Sequence, residues 1–389
     1  MEFIGNLSRA TDTSAIIKDL VKGCEGEYDV AIIFLTPNSL LNVKDIVEGI
    51  SDAVSVRHFL GCTCAGIIST HEEVERQPAA SIIFGKLPGV KMTPFYMTQI
   101  QLESLKNADG WHNFFDVYPN ENPVILALPD PFTFDMNLFL KSANGAYPHC
   151  PVIGGLASGA MRPQENVLCI DRQYHDQGIV GLMLTGNLVV KTVVSQGCRP
   201  IGETYIITKA QGNIIYELAG KPFLKVLNDI LEKSPQRDQE LAQEAVFVGL
   251  AMDEYKHGYK RGDFLIRGLM GVDPKTQAGY VADYVKVGQT AQIHLRDAKT
   301  ATEDLQELLS AHLNSMGMKP KGALVFSCNG RGEGLFGEKN HDIQLIQEQV
   351  GPSLPASGFF CAGEIGPIGG NNFLHGFTDS IAFFYPSEK

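Results

Sequence analysis

The chain has 389 residues, 44% of them hydrophobic and 20% charged, with a formal net charge of -12. This is globular composition, ample for two domains, and its scattered lysines and arginines offer no basic patch for nucleic acid. No apolar stretch reaches the roughly 18 residues of a membrane span, the first 29 residues lack the order of a signal peptide, and eight dispersed cysteines fit reduced thiols better than disulfides, so a cytoplasmic protein is expected.

The first predicted strand is Ala31-Ile32-Ile33-Phe34-Leu35. Pro37-Asn38-Ser39 supplies a loop and cap, and Val43, Ile46, Val47 and Ile50 recur at helical spacing, which predicts a helix over 41–50. The phrase Gly61-Cys62-Thr63-Cys64-Ala65-Gly66 follows, then a strand at 80–84. Segment 90–118 is less regular. The order then returns: a strand at 123–128, a break at Pro129-Asp130-Pro131, a helix over 135–143, the phrase Gly154-Gly155-Leu156-Ala157-Ser158-Gly159, and strands at 166–171 and 178–184. Linkers are expected at about 186–200 and 234–243. Ala210–Ile215 predicts a strand, and Pro222–Lys233 a helix opened by proline. A third unit has strands at 245–250 and 264–270, a phrase degraded to Gly268-Leu269-Met270-Gly271, and a helix over 303–316 with Thr300 and Glu303 at capping-box spacing. The last unit has a strand at 322–327, a helix over 342–350, Gly358-Phe359-Phe360-Cys361-Ala362-Gly363, and a strand at 379–385.

A phrase Gly-x-x-small-small-Gly that recurs in one setting marks an internal repeat. Its glycines allow close backbone approach. The expected class is α/β or α+β: layered sheets with flanking helices, built from repeated strand–helix–strand–strand units rather than a barrel.

Gly330-Arg331-Gly332-Glu333-Gly334-Leu335-Phe336-Gly337 contains Gly-x-Gly-x-x-Gly after a strand, but the next helix starts late and no acidic residue closes a second strand about 20 residues on. A flexible glycine loop that lines a pocket is the plainer reading. Cys62 and Cys64 lack zinc-knuckle spacing and His71-Glu72-Glu73 is not a metalloprotease motif, so no metal and no cofactor are expected. Gly155–Gly159 is not a nucleophile elbow. Cys328 and Cys361 lie at strand–loop transitions near Arg331, Glu364 and His375, and either would need a cation or a base to become a nucleophile. Asn329, Arg331, Glu364, Asn371 and Asn372 form the richest polar set beside glycine turns. Such a set suits a small zwitterion or organic acid, since Arg can grip a carboxylate and Glu can accept an ammonium. Solvated surface turns are the alternative.

Gly197-Cys198-Arg199-Pro200-Ile201-Gly202, Cys328-Asn329-Gly330-Arg331-Gly332, and Gly358 to Pro367 through Leu374-His375-Gly376-Phe377-Thr378 resemble the FIST family, named for F-box and intracellular signal transduction proteins. The resemblance covers about 28–385 and implies an N-terminal FIST domain over 28–196 and a C-terminal one over 197–386. It further implies a sensory module that binds small ligands such as amino acids. No segment before Asp29 has the length of an F-box, and none after Tyr385 that of a signalling module. A stand-alone protein acting through an unknown signalling partner or self-association is therefore expected. The family supplies no catalytic residues to carry over.

The expected function is thus cytoplasmic small-ligand sensing, in a pocket formed by the glycine turns. Asn329, Arg331 and Glu364 are the candidates for ligand polar groups, Cys361 and Cys64 for small lining residues, and His375 for a further ligand-binding residue. Arg331→Ala is expected to weaken binding of an anionic group without unfolding the chain. A cysteine-dependent enzyme using Cys361 or Cys328, and a protein-interaction scaffold, stand as alternatives.

Overall fold

The computed structural model describes residues 1–37, 43–256 and 258–387. The chain begins β1 (Glu2–Ser8), α1 (Thr13–Leu20), β2 (Glu27–Leu35), α2 (Val43–Ala53), β3 (Ser55–Thr63), β4 (Gly66–Ser69), β5 (Glu73–Glu75), β6 (Ala80–Lys86). β2 is continuously apolar from Val30 to Leu35 because both faces are covered there. Ile32 and Phe34 enter one core; Ile33 and Leu35 enter another, beneath Ile16 and Leu20 of α1 and Ile46, Val47 and Ile50 of α2. Asn38 and Ser39 of the predicted cap, with residues 40–42, lie outside the described residues.

Next come β7 (Val90–Met97), α3 (Gln99–Ser104), α4 (Ala108–Phe115), β8 (Val124–Pro129), α5 (Met136–Ala146), β9 (Val152–Gly155), β10 (Leu168–Ile170), β11 (Gln173–His175), β12 (Ile179–Gly186) and β13 (Val189–Gln196). The irregular segment 90–118 resolves into a strand and two short helices. Each helix is capped by a side chain that accepts an amide: Thr98 from Gln101 and Asn107 from Gly110. Asp135 does the same for α5 through the Leu138 amide.

Then follow β14 (Cys198–Gln211), β15 (Ile214–Leu218), β16 (Lys221–Pro222), α6 (Phe223–Lys233), α7 (Gln236–Glu244), β17 (Val246–Ala251), β18 (Phe264–Asp273), β19 (Ala278–Val281), β20 (Thr290–Arg296) and α8 (Ala298–Met316). The chain ends with β21 (Gly322–Cys328), α9 (Glu333–Phe336), α10 (His341–Val350), β22 (Ala356–Cys361), β23 (Glu364–Ile368), β24 (Asn371–His375) and β25 (Thr378–Tyr385). No helix among the described residues is long and apolar enough to cross a membrane.

Two spatial units emerge. One comprises Met1–Val194, Gln306–Leu374 and the chain from Thr378; the other comprises Ser195–Leu305 and His375–Phe377. The first unit carries three six-stranded sheets of like order: β1-β6-β2-β3-β10-β11, β7-β12-β8-β9-β23-β24, and β13-β25-β21-β22-β4-β5. In each, a parallel pair (β2 with β3, β8 with β9, β21 with β22) is flanked by an antiparallel strand (β6, β12, β25). The two strands after each glycine phrase leave their own sheet: β4–β5 join the third, β10–β11 the first, and β23–β24 the second. This cyclic exchange ties the sheets together, and their inner faces share one core in which Phe34, Phe326 and Phe359 meet.

The first glycine of each phrase has a common cause. Gly61, Gly154 and Gly358 face Ile33, Ala127 and Val325 across the parallel pair. A Cβ there would lie 2.3, 1.9 and 1.8 Å from the carbonyl oxygen opposite, so no side chain fits.

The second unit is antiparallel. Its sheet runs β14-β20-β17-β18-β19-β15-β16 and closes through a β14–β15 pairing, so a barrel-like closure occurs here although the amphipathic helices argued against one. Closure depends on a bend in β14. The ladder to β20 shifts between Ile201 and Thr204, where Gly202 takes φ +67°. The predicted third unit lies in this sheet without a helix between its strands, since β17 pairs directly with β18. The single strand expected over 210–215 is instead a hairpin turn at Gly212, with φ +62°. Both expected linkers are structured. The first contains β13 and the start of β14; the second is α7, whose polar sequence hid a helix that lays Leu241 and Ala242 on the core. α8 starts at Ala298 rather than Glu303, because Asp297 accepts the Lys299 amide and occupies the cap expected of Thr300.

Candidate functional site

One set of equivalent positions on the outer faces of the three sheets carries different chemistry in the third. Two residues beyond the position facing each glycine stand Leu35, Pro129 and Ser327, paired with Ala80, Ile179 and Asp379. In the first sheet Leu35 and Ala80 are helix-covered core, as is Ile179 in the second. In the third, the same positions are a hydroxyl and a carboxyl beneath α10. Glu364, in the second sheet, is a polar departure on the inner side. It pairs with Gly155, where the other sheets pair Leu168 with Cys62 and Ile67 with Phe359.

Buried polar groups need partners. Arg331, 1% exposed, donates from Nε and Nη2 to Asp342 at 2.7 and 2.8 Å, and its guanidinium lies over the Phe336 ring. Phe336 in turn stacks on His341, whose Nδ1 is 3.0 Å from Asp342. Burial pushes the Asp342 carboxyl up, but Arg331 and His341 outweigh it and hold the group well below the usual range. Likewise burial disfavours the Arg331 charge, and Asp342 more than offsets this.

Glu73 and Glu75 reach this cluster from β5. The Ile343 amide donates to Glu73 Oε1 at 2.8 Å, so Glu73 satisfies the start of α10, where Asn340 makes no side-chain cap. Glu75 Oε1 accepts the Glu333 amide at 2.8 Å. A Cβ on Gly332 would lie 2.3 Å from that oxygen, and Gly332 sits at φ +68°, which explains this glycine of the Gly-x-Gly-x-x-Gly run. The amide that a phosphate would need is therefore already held by a carboxylate.

Glu73 Oε2, both oxygens of Asp379 and Arg331 Nη1 are buried without a hydrogen-bond partner among the described residues. Burial and the neighbouring Asp342 charge push Glu73 up to about 8 and Asp379 well above the usual carboxyl range. Burial likewise pushes Glu364 up to about 8, against two hydrogen bonds from Thr378 to its Oε2. A cavity of about 170 Å³ opens on Glu73, lined also by Glu75, Glu333, Arg9, Arg76 and Lys339. It thus offers carboxyls and cations together. Larger hollows include one of about 490 Å³ in the second unit, beside Arg199, Glu203 and Lys233, one of about 500 Å³ beside Tyr28, Arg57 and Lys86, and one of about 300 Å³ beside His71, Gln344 and Glu348. None of these is lined by a buried polar atom lacking a partner, and Arg199 is spent on Asp238 and Asp297. Chemistry favours the 170 Å³ cavity over these larger ones.

The expected site residues fall at different depths. Arg331 and Glu364 are in electrostatic reach of each other, with Cys361 next to Glu364. The Asn329 side chain is exposed, while its amide donates to the Cys361 carbonyl at 2.9 Å. Cys361 and Cys64 are fully buried in the shared core, and burial pushes both thiols well above their usual range. That opposes thiolate chemistry at Cys361. His375, 3% exposed, belongs to the second unit. None of these six side chains lines the 170 Å³ cavity. Glu73, Glu75, Asp342 and Asp379 went unread; the alternation of Glu73-Val74-Glu75 was the one local signal, and its partners lie far along the chain. Among the described residues no group of three or more His, Cys, Asp or Glu is arranged to hold a metal.

The FIST N domain family model matches residues 29–221 and the FIST C domain model residues 224–367. The chain belongs to the FIST family. FIST domains are regarded as signal-transduction sensor domains. Full-length similarity extends to an uncharacterized protein of Mycobacterium tuberculosis, 38% identical over 375 residues, covering 96% of this chain and 95% of that one. An uncharacterized protein of Mycobacterium bovis is 37% identical over 340 residues, 87% and 86% of the two chains. An F-box/LRR-repeat protein of Arabidopsis thaliana shares 37% identity over 87 residues, 21% of this chain and 16% of its own. The boundary between the two FIST matches falls at β16, inside the second unit.

Proposed function

We propose that this FIST protein senses a small amino-acid-like metabolite in the cavity beside Glu73 and passes the signal to a protein partner. The observation that carries the reading is a buried carboxyl, Glu73, with one oxygen unpartnered and the cavity at its side. Glu73, Glu75 and Glu333 supply acceptors for an ammonium group, and Arg9, Arg76 and Lys339 supply cations for a carboxylate. Arg331 and Glu364 form the interior behind this wall, where they fix its charge rather than touch the ligand. The common order of the three sheets supports an internal repeat in which two copies kept apolar outer faces and the third acquired the site.

A thermal-shift screen against the amino acids, organic acids and nucleotides tests the reading. A ligand that binds only the folded state adds about 2.7 kcal/mol at 100 times its Kd. At least one amino acid is expected to raise the melting temperature and nucleotides are not. A flat response to every amino acid would refute the proposal.

A further inference from the structure

We propose that the ligand of the 170 Å³ cavity is an acidic amino acid, its two carboxylates held by Arg76 and Lys339 and its ammonium by Glu333. The inference deepens the metabolite reading above and rests on it. It starts from which charged groups at the cavity are already spent. Arg9 pairs with Glu72. Glu73 accepts the Ile343 amide, and Glu75 accepts the Glu333 amide. The side chains of Arg76, Lys339 and Glu333 are exposed and make no hydrogen bond or ion pair among the described residues. The unspent groups are therefore two cations and one carboxylate.

Charge matching then selects the occupant. Two carboxylates and one ammonium complement that set, and aspartate and glutamate carry them. A neutral amino acid leaves one cation unmatched. A basic one sets a second ammonium beside Arg76 and Lys339, where like charges repel. Arg76 offers a planar fork that grips a carboxylate bidentately, whereas Lys339 offers a compact point charge. Glu75, bonded to the Glu333 backbone, reinforces the negative potential there, so the ammonium belongs on that side.

The backbone sets these groups on two adjoining segments. Arg76 directly follows β5 and sits at φ +56°, a left-handed conformation that residues with a side chain seldom adopt. Such outliers gather at functional sites. Its Nη2 lies 4.0 Å from where a Gly334 Cβ would stand, so the guanidinium reaches from the end of β5 to the glycine turn. Glu333 opens α9, and Lys339 lies between α9 and α10. A ligand held by all three side chains joins the end of β5 to the α9 segment. The cavity holds about 170 Å³, less than the roughly 300–1,000 Å³ of drug-sized sites, which suits an occupant this small.

The experiment is isothermal titration of the full-length protein with L-glutamate, L-aspartate, L-glutamine, L-lysine and succinate. Glutamate or aspartate is expected to bind at least about fivefold more tightly than glutamine, the upper worth of one exposed ion pair, and more weakly as salt is added. Lysine is expected not to bind. Arg76→Ala and Lys339→Ala should each lower affinity for the acidic amino acid at least about fivefold. Glu333→Gln should lower it too and leave succinate unchanged, because succinate has no ammonium. All three side chains are exposed, so the variants keep the fold, which circular dichroism checks. Glutamine or lysine binding as tightly as the acidic amino acids, full affinity in both cation variants, or succinate matching glutamate overturns this inference while leaving the metabolite reading intact. Failure of every amino acid to bind overturns both.

Discussion

Arg331 donates twice to Asp342 in surroundings otherwise closed to solvent. Removing it leaves Asp342 ionised, buried and uncompensated, a change that costs about 3–5 kcal/mol in comparable pairs. Arg331→Ala is therefore expected to lower stability by that order in urea unfolding. Arg9→Ala, which breaks an exposed pair with Glu72, should stay within about 1 kcal/mol. Equal, small losses would contradict the structural role of Arg331. This reverses the expectation that Arg331 could be removed without harm to the fold. From sequence, Arg331 and Glu364 stood out because they are charged residues beside glycine turns. Their burial was not legible, because the groups that enclose them, Asp342, Asp379 and Glu73, arrive through helix docking and strand pairing. Cys64 and Cys361 were legible as small residues but not as core.

Elements were easier to read than contacts. The central strands of each sheet and helices α2, α5, α6, α8 and α10 declared themselves by period, whereas β1, α1, β7, α3, α4, β19 and β20 did not, and the glycine phrases marked where each parallel pair closes. The polar helix α7 and the turn at Gly212 were missed, since neither has an apolar period. The hairpins exchanged between sheets left no local trace, because exchange is decided by which edge is open and not by the hairpin's own sequence. The glycine account makes a testable pair. Gly358→Ala drives a Cβ to 1.8 Å from the Val325 carbonyl oxygen and should cost at least about 2 kcal/mol. Gly145→Ala, in α5 with nothing within 4 Å, should gain up to about 1 kcal/mol through helix propensity. Chemical denaturation of both variants checks the signs; a neutral Gly358→Ala would refute the close-approach explanation.

At the scale of the whole molecule, the unit boundaries do not follow the chain. The first unit needs β21, β22 and β25 from the C-terminal part to receive β4–β5, and the sheet of the second unit joins strands from both FIST matches. Both units have hollows, and the central claim is that the 170 Å³ one in the first unit, beside Glu73, binds the metabolite. The measurement that tests it most directly is isothermal titration of the best amino acid from the thermal screen into three proteins: wild type, Glu73→Gln, and Glu203→Gln in the second unit's cavity. The account predicts at least tenfold weaker binding for Glu73→Gln and unchanged binding for Glu203→Gln. Loss of binding in Glu203→Gln with full affinity in Glu73→Gln would contradict it and move the site to the second unit.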